Sequence, residues 1–96
     1  MKLTDRYGME TLGNRAREQV FDAIAGLIEK GTVVCSCEEC ITDLAAWALN
    51  HVTPRYYTSL LAPLTPDRER ERQFQVEIEL AIASGLERLA RHPHHE

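Results

Sequence analysis

Three cysteines inside six residues, Cys35-Ser36-Cys37-Glu38-Glu39-Cys40, limit this chain more than any other feature, and it has no others. An odd number of thiols packed this closely makes a poor disulfide framework and reads first as a set of metal ligands. In an extended segment residues two apart point the same way, so Cys35 and Cys37 share a face. Across the first turn of a helix residues three apart share a face, which brings Cys37 and Cys40 together. A helix starting near Glu38 sets all three sulfurs beside the positive end of its dipole, which favours the thiolate a metal requires. Three thiolates so placed make most of a tetrahedral zinc site. Buried inert thiols and a redox centre are the other readings, although a redox centre more usually shows CxxC in a strand-containing fold.

A closed zinc site has a fourth ligand. His51 lies eleven residues beyond Cys40, about 16 Å along a helix, too far to share one ion. His92, His94 and His95 stand at the chain end. Helices running up, down and up return that end to the cysteines. Pro93 stops the last helix, so His94 is the first imidazole released from it and the preferred ligand. His92, His95, water or a carboxylate stay open as alternatives.

The remaining pattern predicts an all-α fold of three main helices stapled by zinc. Residues 1–13 are polar and irregular and read as a loose start, with one helical domain over 14–96. Asn14 suits an N-cap for a helix to about Lys30, with Val20, Phe21, Ile24, Leu27 and Ile28 forming its apolar stripe and Gly31 ending it. A second helix from Glu38 carries Ile41, Leu44, Ala45, Ala48, Leu49 and Val52, with Asn50 suited to a left-handed end and Pro54 stopping it. Residues 53–66 hold three prolines and read as a crossing loop, with Pro66 suited to a helix start. The third helix, from Asp67 to about Arg91, opens with Asp67–Arg70 and Glu69–Arg72 as weak surface pairs.

That third helix has two apolar faces. Phe74, Ile78, Ala81, Ile82, Gly85 and Leu89 line one; Val76, Leu80 and Ala83 lie roughly 200° around the axis. A three-helix monomer needs one such stripe per helix, so the second face and a length of about 37 Å predict a homodimer built on this helix, with a curved helix wrapped by its own loop as the alternative. A chain of 96 residues buries only somewhat over ~60% of its unfolded surface and gains from a metal or a partner subunit.

Charge narrows the function. With 11 basic and 15 acidic residues the net charge is −4, which argues against nucleic acid and anionic membrane surfaces as partners. No apolar run approaches the ~18 residues of a membrane helix. Met1 to Glu10 lack the apolar core of a secretory signal, so the expected compartment is the cytoplasm, where thiols stay reduced. Beside the cysteines the acid–base groups are Glu38 and Glu39, which read as helix-dipole partners, and no enzymatic activity is expected.

The run from Cys35 to Cys40, followed by Asp43, Ala48-Leu49-Asn50 and Pro54-Arg55-Tyr56, resembles the signature of the late competence development protein family, ComFB. The likeness covers about residues 14–94. It implies a helical, zinc-binding homodimer without catalytic activity, and in some members a receptor for cyclic dinucleotides, notably cyclic di-GMP, linked to competence, motility or surface behaviour. Carried over by position, the metal ligands are Cys35, Cys37 and Cys40. Asp43, Asn50, Pro54, Arg55 and Tyr56 are the signature positions for ligand binding. Some relatives also offer a terminal cysteine; this chain offers only histidines there.

The sequence departs from the signature at Val52-Thr53, where Leu-Pro is expected, which predicts a looser loop. Arg55 suits a phosphate, and Tyr56 or Tyr57 a purine face. The structural alternative pairs Arg55 with Asp43 and packs a tyrosine on the core. Two functions therefore stand side by side: a cyclic dinucleotide receptor, and an adapter homodimer that binds a protein partner without any small ligand.

Overall fold

The computed structural model describes residues 1–32, 35–60 and 67–91. A single turn, α1 (Leu3–Arg6), opens the chain and buries nothing. Two residues of strand, β1 (Gly13–Asn14), lead into the first long helix, α2 (Arg15–Glu29). Asn14 caps it as expected, accepting from the Ala16 N–H at 3.1 Å. Gly31 has φ 71°, the left-handed conformation that suits glycine. There Gly31 N–H bonds Ile28 O and Thr32 N–H bonds Leu27 O, the paired bonds of a Schellman end.

Helix α3 (Glu38–Asn50) starts where the cysteines predict, with Cys37 as its N-cap. Asn50 does not turn left-handed. It stays helical and donates to Ala46 O at 2.9 Å, and no described non-glycine residue has a positive φ. After α3 comes β2 (Tyr56–Tyr57), which pairs antiparallel with β1 in the register Gly13↔Tyr57 and Asn14↔Tyr56. From sequence, 53–66 reads wholly as loop, because two-residue strands are too short to show alternation. Residues 61–66, with Pro63 and Pro66, lie outside the described residues.

Helix α4 (Arg68–Arg91) is 24 residues long, about 36 Å. Asp67 caps it, its carboxylate accepting from the N–H groups of Glu69 and Arg70 at 3.1 and 3.3 Å. That use of the carboxylate explains why the expected Asp67–Arg70 pair is absent from the described ion pairs, as is Glu69–Arg72; these are Arg55–Glu71 and Arg91–Glu87. No helix among the described residues is long and apolar enough to cross a membrane.

The core joins α2, α3 and α4. Its large, fully buried side chains are Val20, Leu44, Ile78 and Cys40, so each long helix sends at least one to the centre. The α2 stripe is narrower than expected: Val20 and Ile24 are buried, whereas Phe21 and Ile28 are 42% and 39% exposed. Arg17 covers the Phe21 ring instead, at 4.6 Å from its centroid. On α4 the two faces separate as predicted. Ile78, Ala81, Ile82 and Gly85 are buried, and Val76 and Leu80 are 49% and 66% exposed.

Gly85 lets α4 approach α3, its main neighbour. A Cβ there meets Leu44 Cδ1 at 2.7 Å and Trp47 Cδ1 at 3.0 Å. Gly26, in mid-α2, has nothing within 4 Å of such an atom. Urea unfolding therefore separates the two glycines. Gly85→Val lowers stability by about 2–3 kcal/mol through overpacking, and Gly26→Ala raises it by about 0.5–1 kcal/mol through helix entropy.

Candidate metal centre and neighbouring groove

The cap of α3 is itself sulfur. Cys37 Sγ accepts from the Cys40 N–H at 3.4 Å, while Cys37 O accepts from Ile41 N–H at 3.0 Å. Cys40 is buried and Cys35 and Cys37 are half-buried, and the three sulfurs lie within 4.8 Å of one another. Sulfurs around one tetrahedral ion at ~2.3 Å lie roughly 3.8 Å apart, so the cluster needs only slight closure to hold a metal. The Cys37 backbone N–H, then the side chains of Cys37 and Cys40, hold the Cys35 thiol below its ordinary pKa. That favours the thiolate, the form that ligates.

Helix α4 returns to this end of the bundle. Asp43, one turn into α3, shares a groove with Arg88 and Leu89 near the end of α4. The preferred fourth ligand, His94, and its alternatives His92 and His95 lie outside the described residues. His51 is at the opposite end of α3, where its ring stacks on Trp47 at 4.4 Å and its Nδ1 lies 2.6 Å from Trp47 O.

The five signature positions expected to bind ligand do not form one site. Asp43 and Asn50 line the α3–α4 groove, about 410 Å³ in volume, with Ala46, Trp47, Gly85, Arg88 and Leu89. Trp47 donates from Nε1 to Ser84 Oγ at 3.2 Å, and the Arg88 guanidinium stands 5.2 Å from the indole centroid.

Arg55 sits elsewhere. Its Nη1 donates to Gln19 Oε1 at 3.0 Å, its Nη2 to Glu71 Oε1 at 2.5 Å, and its guanidinium lies 3.8 Å over the Phe74 ring. The pairing with Asp43 is thus replaced by one with Glu71, because the β1–β2 ladder draws Arg55 towards α2. Arg55 N–H donates to Asn14 Oδ1 and Arg15 N–H to Arg55 O, at 3.1 and 2.8 Å. Pro54 is exposed, and Tyr56 is 67% exposed, so it does not pack on the core. Tyr57 lies over Gly13 and donates to Glu18 at 2.7 Å.

The predicted loosening at Thr53 is also corrected. Thr53 donates to Glu77 Oε1 from both its backbone N–H and its hydroxyl, at 2.5 and 2.9 Å. A proline there has no N–H to give, so this chain fixes the loop by hydrogen bonds that a proline at this position would not make in full. The sequence reading missed Gln19, Glu71 and Glu77 as partners of this loop and placed Phe74 only on an apolar face of the last helix. Gln19 on α2 and Glu71 and Glu77 on α4 are, in sequence, indistinguishable from a solvated face.

A family model described as late competence development protein ComFB matches residues 13–93. No curated protein and no solved structure matches the chain.

Hydrogen bonds from Arg55 hold the Glu71 carboxyl below its ordinary value of 4.5. A carboxyl whose pKa is lower folded than unfolded contributes fully above the unfolded value and loses that contribution as pH falls through the folded one. Urea midpoints of the wild type should therefore fall more steeply below about pH 4.5 than those of Glu71→Gln. Parallel curves for the two would show that the pair adds nothing.

Proposed function

We propose that this chain, which belongs to the late competence development protein ComFB family, is a non-enzymatic, zinc-binding regulatory protein. In this reading it acts in the cytoplasm as a homodimer and receives a cyclic dinucleotide, cyclic di-GMP, as its signal. The observation that carries the reading is the meeting of three sulfurs within 4.8 Å at a helix start. In a core this thin, a zinc ion supplies a cross-link between the segment before α3 and its first turn. The neighbouring Glu38 and Glu39 sit in that first turn, where carboxylates favour the dipole rather than proton transfer.

The dimer rests on the outer face of α4. Val76 and Leu80 are among the exposed large apolar side chains, on a helix whose other face is already filled. A second copy offers the same face, and a two-fold arrangement buries both.

The adapter reading has its own support. The guanidinium of Arg55, the signature group best suited to a phosphate, is engaged by Glu71 and Gln19. Calorimetry with cyclic di-GMP decides between the two. Saturable heat supports the receptor; no heat and no thermal shift at high ligand leave the adapter.

Metal analysis and light scattering address the assembly together. Protein purified without chelator should carry about one zinc per chain and run as a dimer. Cys37→Ser should lose the zinc and much of the fold, since metal in small zinc domains contributes about 10 kcal/mol or more. Leu80→Asp should keep the zinc and lose the dimer. A metal-free protein that stays folded under strong chelation would sink the zinc reading.

A further inference from the structure

Cys37-Glu38-Glu39-Cys40 is a CxxC set across the start of α3, and its two sulfurs differ in access. Cys37 is half-buried and caps the helix, whereas Cys40, inside the first turn, is 1% exposed. The Cys40 N–H already donates to Cys37 Sγ at 3.4 Å, and the two sulfurs belong to a group that spans no more than 4.8 Å. Residues three apart across a helical turn have Cα atoms about 5 Å apart, inside the range of about 4.4–6.8 Å that a disulfide accepts. Residues two apart in an extended chain stand about 6.6 Å apart, near the upper limit, which makes Cys35 the poorer partner for Cys37. An accessible sulfur with a buried one placed to resolve it is the arrangement of a thiol that responds to oxidants.

We infer that Cys37 and Cys40 form a reversible thiol–disulfide pair, closed by a peroxide and reopened by a dithiol, whose closure releases the bound metal. The Cys37 thiolate attacks one oxygen of hydrogen peroxide; the O–O bond breaks, and the second oxygen takes a proton and leaves as water. Sγ of Cys37 then carries a hydroxyl. The Cys40 thiolate attacks that sulfur, the S–S bond forms, the S–O bond breaks, and the hydroxide takes a second proton as it leaves. The two sulfurs together lose the two electrons that the peroxide gains. A dithiol reverses the change by exchange, taking the disulfide bond onto its own sulfurs and returning both protons. Disulfide sulfurs lack the charge of the thiolates that ligate a metal, so two of the three cysteine ligands go in one event and Cys35 is left alone. In a reducing compartment disulfides are usually transient and redox-sensing, which is the use this pair fits. The inference rests on the zinc reading for the ion released, but not for the bond that forms.

The full chain, purified without chelator, is treated with hydrogen peroxide beside a chromophoric zinc chelator. It should give up zinc that it keeps without the oxidant, at about one ion per disulfide formed, and its metal-free mass should fall by about 2 Da from the reduced value. Alkylation with N-ethylmaleimide should then label Cys35 alone. After denaturation, a protease that cuts behind Glu38 and Glu39 should leave the Cys37 and Cys40 peptides joined until dithiothreitol parts them. Cys35→Ser, changed at a half-buried position, should close the same bond. A label on Cys37 or Cys40, or a gain of about 32 Da with no cross-link, would overturn the pair. Zinc retained through the treatment with all three thiols intact would overturn it too, and would leave the zinc reading standing. A chain that carries no zinc and still closes the Cys37–Cys40 bond would keep the pair and remove the zinc reading.

Discussion

Everything in this fold answers to a core one layer deep. Val20, Leu44 and Ile78 meet at its centre, one from each long helix, with Cys40 beside them. At about 1.5–3 kcal/mol for each large side chain buried, so few residues leave little margin over chain entropy. The two ends of the bundle are therefore held by other means. At one end a guanidinium from the segment after α3 ties α2 to α4 through Gln19, Glu71 and Phe74. At the other, sulfur gathers at the start of α3. The Arg55–Glu71 pair is partly exposed, with side chains 17% and 36% accessible, so its worth lies more in fixing the register of the loop than in energy.

The helices were readable because their start and stop chemistry is local. The capping bonds of Asn14, Gly31, Cys37 and Asp67 each reach only a few residues along the chain, and each cap does what its type predicts. What could not be read is chemistry across distance. Arg55 chooses Glu71 over Asp43 because of where β1 and β2 place the backbone, and a two-residue ladder leaves no periodic trace. Phe21 and Ile28 fit the helical spacing yet stay exposed, since periodicity gives a face but not its width. The cysteine cluster lay between these cases: its convergence follows from local geometry, whereas any partner from the chain end does not.

The signature positions divide by role. Asn50 and Asp43 belong to the groove; Arg55 and the tyrosines belong to the junction that holds the loop. The departure at Thr53 belongs to the second group, and it substitutes one restraint for another. A proline restrains by covalent geometry at all times, whereas Thr53 restrains only while Glu77 on α4 is in place. The loop of this chain is thereby made to depend on α4 in a way that a proline would not require.

Asn14 carries a kinetic meaning. Its side-chain oxygen serves two donors at once, the Ala16 N–H beside it and the Arg55 N–H from 41 positions along the chain. The first bond is available to an isolated segment within the microsecond of helix nucleation; the second waits for a closed loop. The front of α2 is thus fully bonded only once the segment after α3 has come back beside it, Arg15 N–H then also reaching Arg55 O.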